Sequence, residues 1–419
     1  MEKNNPWGKE QGLHYCSPAH GGWGVVRVAM LVPEIQVLFV CPSGCGRHGA
    51  LGAIETGHKK QVAYLCIDET DIVSGRYESM VPQAVDELIS RADHKPKAVF
   101  IFVSCLDDLL GTDYGEMLEN LSKLHHIPFR ICHMNPISLD SRLPPPITIQ
   151  KSIYSLLEAS EIKSNSINLI GAYVPIDKTS ELYNFLMDAG IQKINHISGF
   201  DSYEAFQTMS EAKLNLVTRP EGLPAAGDMK AKLGIPFCFA PVSYNISSIA
   251  LQYRKLSVIT GSRYDLSTHI KTALDKIEEM KPLLGNIPIS LDAGAVCRPF
   301  DMAQALISYG FNVTDIYADK VPEFEVTALD WLQKSAPGLK YHLTEHHTWV
   351  KERSEKDINR LSIGFNSGYL TGSSKTVAFA FDEGMFGYGG IVSLMDMLAE
   401  ACRNSADLRA SIENYGLVV

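Results

Sequence analysis

Short β-rich runs alternate with amphipathic stretches along most of the chain, and this alternation limits the possible folds more than any other feature. The β-rich runs are 35–40, 62–66, 98–103, 128–132, 167–171, 214–218, 236–240, 287–291, 312–317, 361–365 and 376–381. The amphipathic stretches are 80–92, 114–125, 178–189, 268–280, 301–309 and 390–403. Strands that alternate with helices in this way are typical of βαβ units. The sequence therefore predicts an α/β fold with parallel sheets and crossover helices.

Proline and glycine divide the series at two places. One is the run of three prolines at 144–146, and the other is the segment 281–286, which contains Pro282 and Gly285. With 419 residues, of which 45% are hydrophobic, the chain can bury a large core and has the length of about three domains. We predict three Rossmann-like domains, near 1–148, 149–284 and 285–419.

Charge and hydropathy argue against two classes of partner. The 38 Lys and Arg against 48 Asp and Glu give a net charge of -10, which disfavours a nucleic acid or an anionic membrane as partner. The N-terminal residues MEKNNPWGKEQG contain no apolar segment of the kind found in signal peptides. The apolar stretch 24–40 is interrupted by Arg27, Pro33 and Glu34, so no segment is expected to span a bilayer. We therefore expect a cytoplasmic protein.

The nine cysteines favour buried or metal-binding thiols over disulfides, because disulfides are rare in a reducing compartment. Cys45 and Cys105 each follow a predicted strand of the first domain, where functional residues of parallel sheets gather. Cys16 lies in an N-terminal arm that can fold back over the same edge. Thiolates are soft ligands that suit iron. The spacing alone decides nothing, and packing cysteines remain the alternative.

The remaining cysteines carry weaker signals. We expect four of them to be small packing residues because they lie in or at the end of apolar strands: Cys41, Cys66, Cys132 and Cys238. The sequence has no CxxC pair, so thioredoxin-like and zinc-ribbon sites are not expected.

Three segments around these cysteines resemble motifs of the nitrogenase component 1 family. Residues 42–46 (PSGCG) are similar to its Gly-Pro-x-Gly-Cys turn, and residues 68–75 (DETDIVSG) to the acidic element that follows. Residues 103–105 (VSC) with 110–113 (LGTD) are similar to its Cys-Pro-x-x-Leu-Ile-Gly-Asp-Asp stretch. The resemblance covers nearly the whole chain and implies a nitrogenase component 1-like fold.

The resemblance also implies a cofactor and partners. Cys16, Cys45 and Cys105 match the three positions that hold the bridging cluster in that family, which implies a 4Fe-4S or a larger P-cluster-like iron-sulfur cluster. It further implies a homodimer, or a heterodimer with a related component 1 subunit, and an ATP-dependent iron-sulfur reductase like the nitrogenase iron protein. No P-loop and no dinucleotide fingerprint occurs, so we expect no bound nucleotide on this chain.

The chain departs from the molybdenum-iron branch of the family at the cofactor. In the molybdenum-iron branch, the strand that is similar to residues 214–217 ends in a cofactor-binding cysteine, whereas here Thr218-Arg219 follows it. The histidine that would be expected shortly before the glycine loop at 387–390 is also absent. A typical molybdenum nitrogenase is therefore not expected. Arg219 and Arg298 are candidates to bind a substrate carboxylate.

The glycine loop offers a further candidate binding site. Gly387, Gly389 and Gly390 precede or open a predicted helix, whose amides can meet an anion; a plain tight turn is the alternative.

Three functions remain open at this point. The first is an iron-sulfur catalytic subunit of a two-component reductase, and the second is a scaffold on which a metal cofactor is assembled. The third is a non-redox ligand-binding α/β protein whose cysteines only pack.

Overall fold

The computed structural model describes residues 7, 17, 20–21, 29–55, 57–134, 143–345, 359–415 and 417–418. In these ranges the chain forms three parallel sheets with helices between the strands. The predicted α/β class is thus confirmed. Among the described residues, no helix combines the length and the apolar character needed to cross a bilayer.

The first sheet has four parallel strands in the order β3-β2-β4-β5. A two-residue strand, β1, His20–Gly21, precedes them in the chain and pairs elsewhere. The four are β2, Ile35–Cys41; β3, Val62–Cys66; β4, Ala98–Val103; and β5, Phe129–His133. The helices of this region are α1, Ser43–Glu55; α2, Glu69–Val73; α3, Arg76–Arg91; α4, Cys105–Leu110; and α5, Gly115–His125. All six residues of β4 are buried, as expected for a central parallel strand.

The second sheet repeats this topology in the order β7-β6-β8-β9, again with all strands parallel. Its strands are β6, Ser166–Ile170; β7, Lys193–Asn195; β8, Leu214–Val217; and β9, Phe237–Phe239. The helices of this stretch of chain are α6, Pro145–Tyr154; α7, Glu181–Asp188; α8, Tyr203–Gln207; and α9, Leu223–Leu233.

The third sheet has five parallel strands in the order β12-β11-β10-β13-β14. They are β10, Ile289–Asp292; β11, Val313–Tyr317; β12, Lys340–His342; β13, Leu361–Ile363; and β14, Lys375–Val377. A last strand, β15, Leu417–Val418, pairs antiparallel with β1. The helices are α10, Ile246–Thr260; α11, Ser267–Leu284; α12, Pro299–Ser308; α13, Val326–Ser335; α14, Phe365–Thr371; α15, Gly387–Arg403; and α16, Leu408–Asn414.

By its internal contacts the chain forms two compact units. The N-terminal unit comprises Gly22–Tyr173 and Gln192–Phe239, and it contains the first two sheets. One of its hydrophobic cores joins both sheets, with Phe39 and Phe100 from the first and Val217 from the second. The C-terminal unit comprises Met1–Gly21, Val174–Ile191 and Ala240–Val419, and it contains the third sheet. The three-domain division at 148 and 284 stays a prediction.

Every predicted β-rich run overlaps a strand, and every predicted amphipathic stretch overlaps a helix. Residues 42–46, which resemble a turn motif of the family, lead into a helix that is not among the predicted amphipathic stretches. Helix α1 begins at Ser43, so Cys45 lies in the first turn of a 13-residue helix.

Candidate functional site

The candidate site lies at the carboxyl edge of the first sheet, between its two central strands. β2 and β4 are adjacent and parallel, with Val40 opposite Val103. From β2 the chain continues to β3 on one side, and from β4 to β5 on the other. Open α/β sheets bind ligands at the crevice where the strand order reverses in this way. Cys45 follows β2 and Cys105 follows β4, so both cysteines enter this crevice region from its two sides.

Cys45 is exposed in the first turn of α1. The backbone N–H groups of Cys45 and Gly46 both point to the carbonyl oxygen of Pro42, at 2.9 and 3.3 Å. Helix α1 packs closely on the sheet beside it, because a Cβ atom at Gly46 would lie 2.8 Å from the Tyr64 ring and 3.2 Å from Cys41 Sγ. Glycine at 46 therefore lets α1 hold the Cys45 thiol close to the strand ends.

Cys105 is the first residue of α4 and is half-buried. Ser104 is the N-cap of this helix, and its side chain accepts a hydrogen bond from the Leu106 amide. Asp107, in the same helix, is buried and accepts a hydrogen bond from the Tyr114 hydroxyl. The capped turn fixes the position of the Cys105 thiol. One carboxylate oxygen of Asp107 is hydrogen-bonded to the Tyr114 hydroxyl.

The other cysteines of the N-terminal unit follow the packing prediction with one exception. Cys41, Cys132 and Cys238 are buried, but Cys66 is exposed at the end of β3. The prediction for Cys66 was therefore wrong, because the last residue of an apolar strand can leave the core. Burial, followed by the nearby Cys45 and Cys66, raises the pKa of Cys41 to about 12. Cys41 thus stays a neutral thiol at neutral pH.

Cys16, the third predicted ligand, lies outside the described residues. Within the described ranges, no group of three His, Cys, Asp or Glu side chains is arranged to hold a metal ion. The described part of the chain brings Cys45 and Cys105 to one sheet edge, and ligation by the three cysteines stays a prediction.

Arg219 lies at the corresponding place in the second sheet, two residues after the end of β8. Its backbone packs on Gly171, where a Cβ atom would lie 2.8 Å from the Arg219 carbonyl oxygen. Gly171 has a φ of +103°, which favours glycine. The Arg219 side chain is 9% exposed, and its Nε lies 3.4 Å from Glu221 Oε2. This arginine therefore already has an acidic partner in the chain.

Arg298 belongs to the C-terminal unit and precedes α12. Its Nη2 lies 2.9 Å from Asp301 Oδ1. The amide of Asp301 donates to Glu325 Oε1 at 2.9 Å, so a buried carboxyl group caps the start of α12. Burial raises the pKa of Glu325 to about 8. The predicted roles of Arg219 and Arg298 in binding a substrate carboxylate remain predictions.

The glycine loop at the start of α15 already contacts a carboxylate of the chain itself. Glu181 is 1% exposed and accepts hydrogen bonds from the amides of Tyr388 and Gly389, at 2.6 and 3.0 Å, and from the Tyr253 hydroxyl at 2.8 Å. A Cβ atom at Gly387 would lie 2.0 Å from Glu181 Oε1. Glu181 thus takes the place of the external anion expected here. A substrate-binding role for Gly387, Gly389 and Gly390 stays a prediction.

Sequence reasoning missed Glu181 and the exposure of Cys66. Glu181 lies about 200 residues from the helix it caps, and no local pattern links the two segments. The exposure of Cys66 had a weak signal, since Asp68 and Glu69 follow it and mark the end of the apolar strand.

Comparison with known proteins decides the family. The model of the family described as "Nitrogenase component 1 type Oxidoreductase" matches residues 21–403. The chain belongs to this family. A solved structure of nitrogenase Cp1 at pH 6.5 aligns with a TM-score of 0.70 and 16% identity, covering 95% of this chain and 96% of that one, which supports the nitrogenase component 1-like fold.

Several named proteins are similar to the chain at low sequence identity. The nitrogenase iron-iron protein beta chain of Rhodobacter capsulatus is 23% identical, over 81% of this chain and 82% of that protein. The nitrogenase iron-molybdenum cofactor biosynthesis protein NifE of Rippkaea orientalis is 26% identical over 41% of this chain, and that of Rhodobacter capsulatus 23% over 61%. These NifE matches span 37% and 56% of the relatives' own lengths.

Proposed function

We propose that this component 1-type chain is the iron-sulfur catalytic subunit of a two-component reductase, with Cys16, Cys45 and Cys105 as ligands. The observation that carries the proposal is the placement of Cys45 and Cys105 after the two central strands of one sheet, at its topological switch point. The cofactor would be a 4Fe-4S cluster or a larger P-cluster-like one. Bound there, such a cluster supplies one-electron transfer at low potential.

The residues at this edge fit such a group. Cys45 and Cys105 are soft donors in the first turns of α1 and α4, and neither is closed inside the core.

The surface near this edge suits a protein partner. Val73 is 88% exposed in α2, and Leu109 and Leu110 are 70% and 50% exposed in α4. Exposed apolar side chains that lie near a functional edge favour a protein interface. We assign this surface to assembly with an ATP-dependent iron-sulfur reductase, or with a related component 1 subunit in a homodimer or heterodimer. The chain would act in the cytoplasm and bind no nucleotide itself.

A substrate carboxylate would be bound by arginine. Arg219 and Arg298 each have an acidic partner in the chain, Glu221 and Asp301, at 3.4 and 2.9 Å. A ligand carboxylate would share or replace these partners, because a guanidinium group offers five donors.

The second candidate function is a scaffold for metal-cofactor assembly. The NifE relatives favour it, since they are named as cofactor biosynthesis proteins. Both functions need the same cysteine ligands, and only the first requires turnover of a substrate when the reductase and ATP are present.

The cysteine ligands are tested by anaerobic reconstitution with iron and sulfide. We expect the full-length protein to bind both, and Cys45→Ala and Cys105→Ala to lose most of the iron and the electron paramagnetic resonance (EPR) signal of the reduced cluster. The matched control is Cys132→Ala, because Cys132 is buried in β5 and belongs to the hydrophobic core. Iron binding that is unchanged in Cys105→Ala would refute the proposal, and so would equal loss in the control.

A further inference from the structure

Helix α10 of the C-terminal unit carries exposed apolar side chains together with cations. Leu251 is 51% exposed and Val258 is 87% exposed. Arg254 and Lys255 lie between them in the sequence and are exposed as well. We call these four residues the basic-apolar face. The proposed function uses none of them, so the face needs an explanation of its own.

The helical repeat places the four side chains on the outer face of α10. At about 100° per residue, Leu251 and Val258 project in nearly the same direction, about two turns apart. Arg254 and Lys255 project to either side of the line that joins them. The face therefore has an apolar centre with a cation on each flank. It lies opposite the buried stripe of the helix, which consists of Ile249, Tyr253 and Leu256.

The two cations of this face form no ion pair with the described part of the chain. Helix α10, with the sequence ISSIALQYRKLSVIT, contains no Asp or Glu, and no described carboxylate pairs with Arg254 or Lys255. Asp188, beside the end of the helix, instead accepts hydrogen bonds from Ser262 Oγ and the Arg263 amide, at 3.1 and 2.7 Å. Because the whole chain has a net charge of -10, this basic face departs from its overall charge.

Val258 contributes little to the stability of the chain on its own. Valine is a poorer helix former than alanine, because its branched side chain loses rotamer freedom in a helix. With 87% of Val258 exposed, almost no burial offsets this loss. Ile259, the next residue, is 50% exposed and extends the apolar area. An apolar surface laid against this end of α10 would remove both side chains from water, which is favourable.

A second copy of the chain does not fit this face. If α10 packed on itself about a two-fold axis, Leu251 of each copy would meet Val258 of the other, and the cations of both copies would meet at the centre. Like charges in contact repel each other. An anionic membrane fits no better, because the net charge of -10 opposes it. The face also lacks the Trp and Phe that membrane-surface helices commonly carry.

We propose that the basic-apolar face of α10 docks an acidic surface of a different protein. Apolar side chains of that protein cover Leu251 and Val258, and its Asp or Glu side chains pair with Arg254 and Lys255. An apolar centre with a polar rim is typical of protein interfaces, and complementary charge steers the two partners together. The inference does not depend on the cysteine ligands. It adds an interaction surface in the C-terminal unit to the one assigned near the first sheet.

Carbodiimide cross-linking tests the proposal, because this reagent joins a lysine amine to a carboxylate in direct contact with it. The tagged full-length protein is cross-linked in a fresh anaerobic extract of its own organism, purified and digested, and mass spectrometry identifies the linked peptides. We expect Lys255 to be joined to an Asp or Glu of a different protein. Lys334, exposed in α13 of the same unit, is the control and should not be joined to that protein.

The protein identified at Lys255 is then purified, and its affinity for variants of the full-length chain is measured. Arg254→Glu combined with Lys255→Glu should weaken binding about tenfold or more, and binding to the wild type should weaken as the salt concentration rises. Val258→Ser should weaken binding as well. Lys334→Glu, a charge reversal at an exposed site of the same unit, should leave the affinity unchanged. Hydrogen exchange of α10 checks that each variant is folded.

Several results would overturn the inference. Lys255 linked only to other copies of this chain, which mixed isotope labelling distinguishes, would make the face a contact between copies. Lys255 linked to no protein would remove the partner, and sedimentation of the wild type with phosphatidylserine vesicles would then assign the face to a membrane. Equal affinity of the identified protein for the wild type and for the Arg254→Glu, Lys255→Glu variant would show that this face does not bind it.

Discussion

Gly387→Ala should destabilise the start of α15 strongly, because the substitution acts on both the backbone and a buried carboxylate. Gly387 has a φ of +60°, a conformation that costs an L-residue about 1–2 kcal/mol. The added Cβ would also lie 2.0 Å from Glu181 Oε1 and 2.7 Å from the Tyr253 hydroxyl, so the carboxylate must move.

The size of the loss follows from the bonds that Glu181 makes. It accepts three hydrogen bonds while 1% exposed, and a hydrogen bond to a charged group contributes about 1.5–3 kcal/mol. Loss of one of them together with the backbone cost amounts to about 2.5–5 kcal/mol. Gly390→Ala is the matched control, because its Cβ would meet only atoms at 3.6 Å or more and alanine favours a helix.

Native-state hydrogen exchange followed by mass spectrometry measures this effect locally. Peptides that cover α15 and α7 should lose protection in Gly387→Ala and keep or gain it in Gly390→Ala. Equal protection of these peptides in the two variants would refute the role given to Glu181.

Two further predictions concern a buried carboxyl group and helix α1. Glu325 has its pKa raised by burial from 4.5 to about 8, so its contribution to stability is complete below about pH 4.5 and is lost as pH rises to about 8. The unfolding free energy of the wild type relative to Glu325→Gln should fall over that range in denaturant titrations, and parallel pH profiles would contradict this. Gly46→Ala should cost about 1–3 kcal/mol because its Cβ would lie 2.8 Å from Tyr64, whereas Gly44→Ala, with no atom within 4 Å, should not destabilise. Equal unfolding midpoints for these two variants would show that α1 does not pack on the sheet as described.

The sequence predicted the strands well because buried parallel strands are continuous apolar runs. β4, with the sequence AVFIFV, is buried at every position. β7, Lys193–Asn195, has three residues and no apolar run, so local pattern could not reveal it. Its pairing with β6 defines it as a strand.

Helix α1 was not predicted, and its four glycines lower its local helix propensity. Gly46 and Gly49 lie three residues apart on one side of the helix, and their Cβ atoms would lie 2.8 and 2.9 Å from the rings of Tyr64 and Phe39. The glycines therefore serve close packing of a helix on a sheet. Such a contact depends on residues from neighbouring strands, so the helix propensities of the segment itself cannot predict it.

The candidate site was predicted only in part, because some of its features depend on contacts between distant parts of the chain. The position of Cys45 and Cys105 after two strands of the first domain followed from the βα pattern. The adjacency of those strands and the switch point between them depend on strand order, which the structure supplies. The closure of the glycine loop by Glu181 depends on a contact between residues about 200 positions apart.

Anomalous X-ray scattering at the iron absorption edge, on crystals of the anaerobically reconstituted full-length protein, locates bound iron. We predict an iron peak at the carboxyl edge of the first sheet, within bonding distance of the Cys45 and Cys105 sulfurs. Crystals of Cys105→Ala should show this peak lost or strongly reduced. Iron bound elsewhere, with Cys45 and Cys105 free of it, would contradict the account.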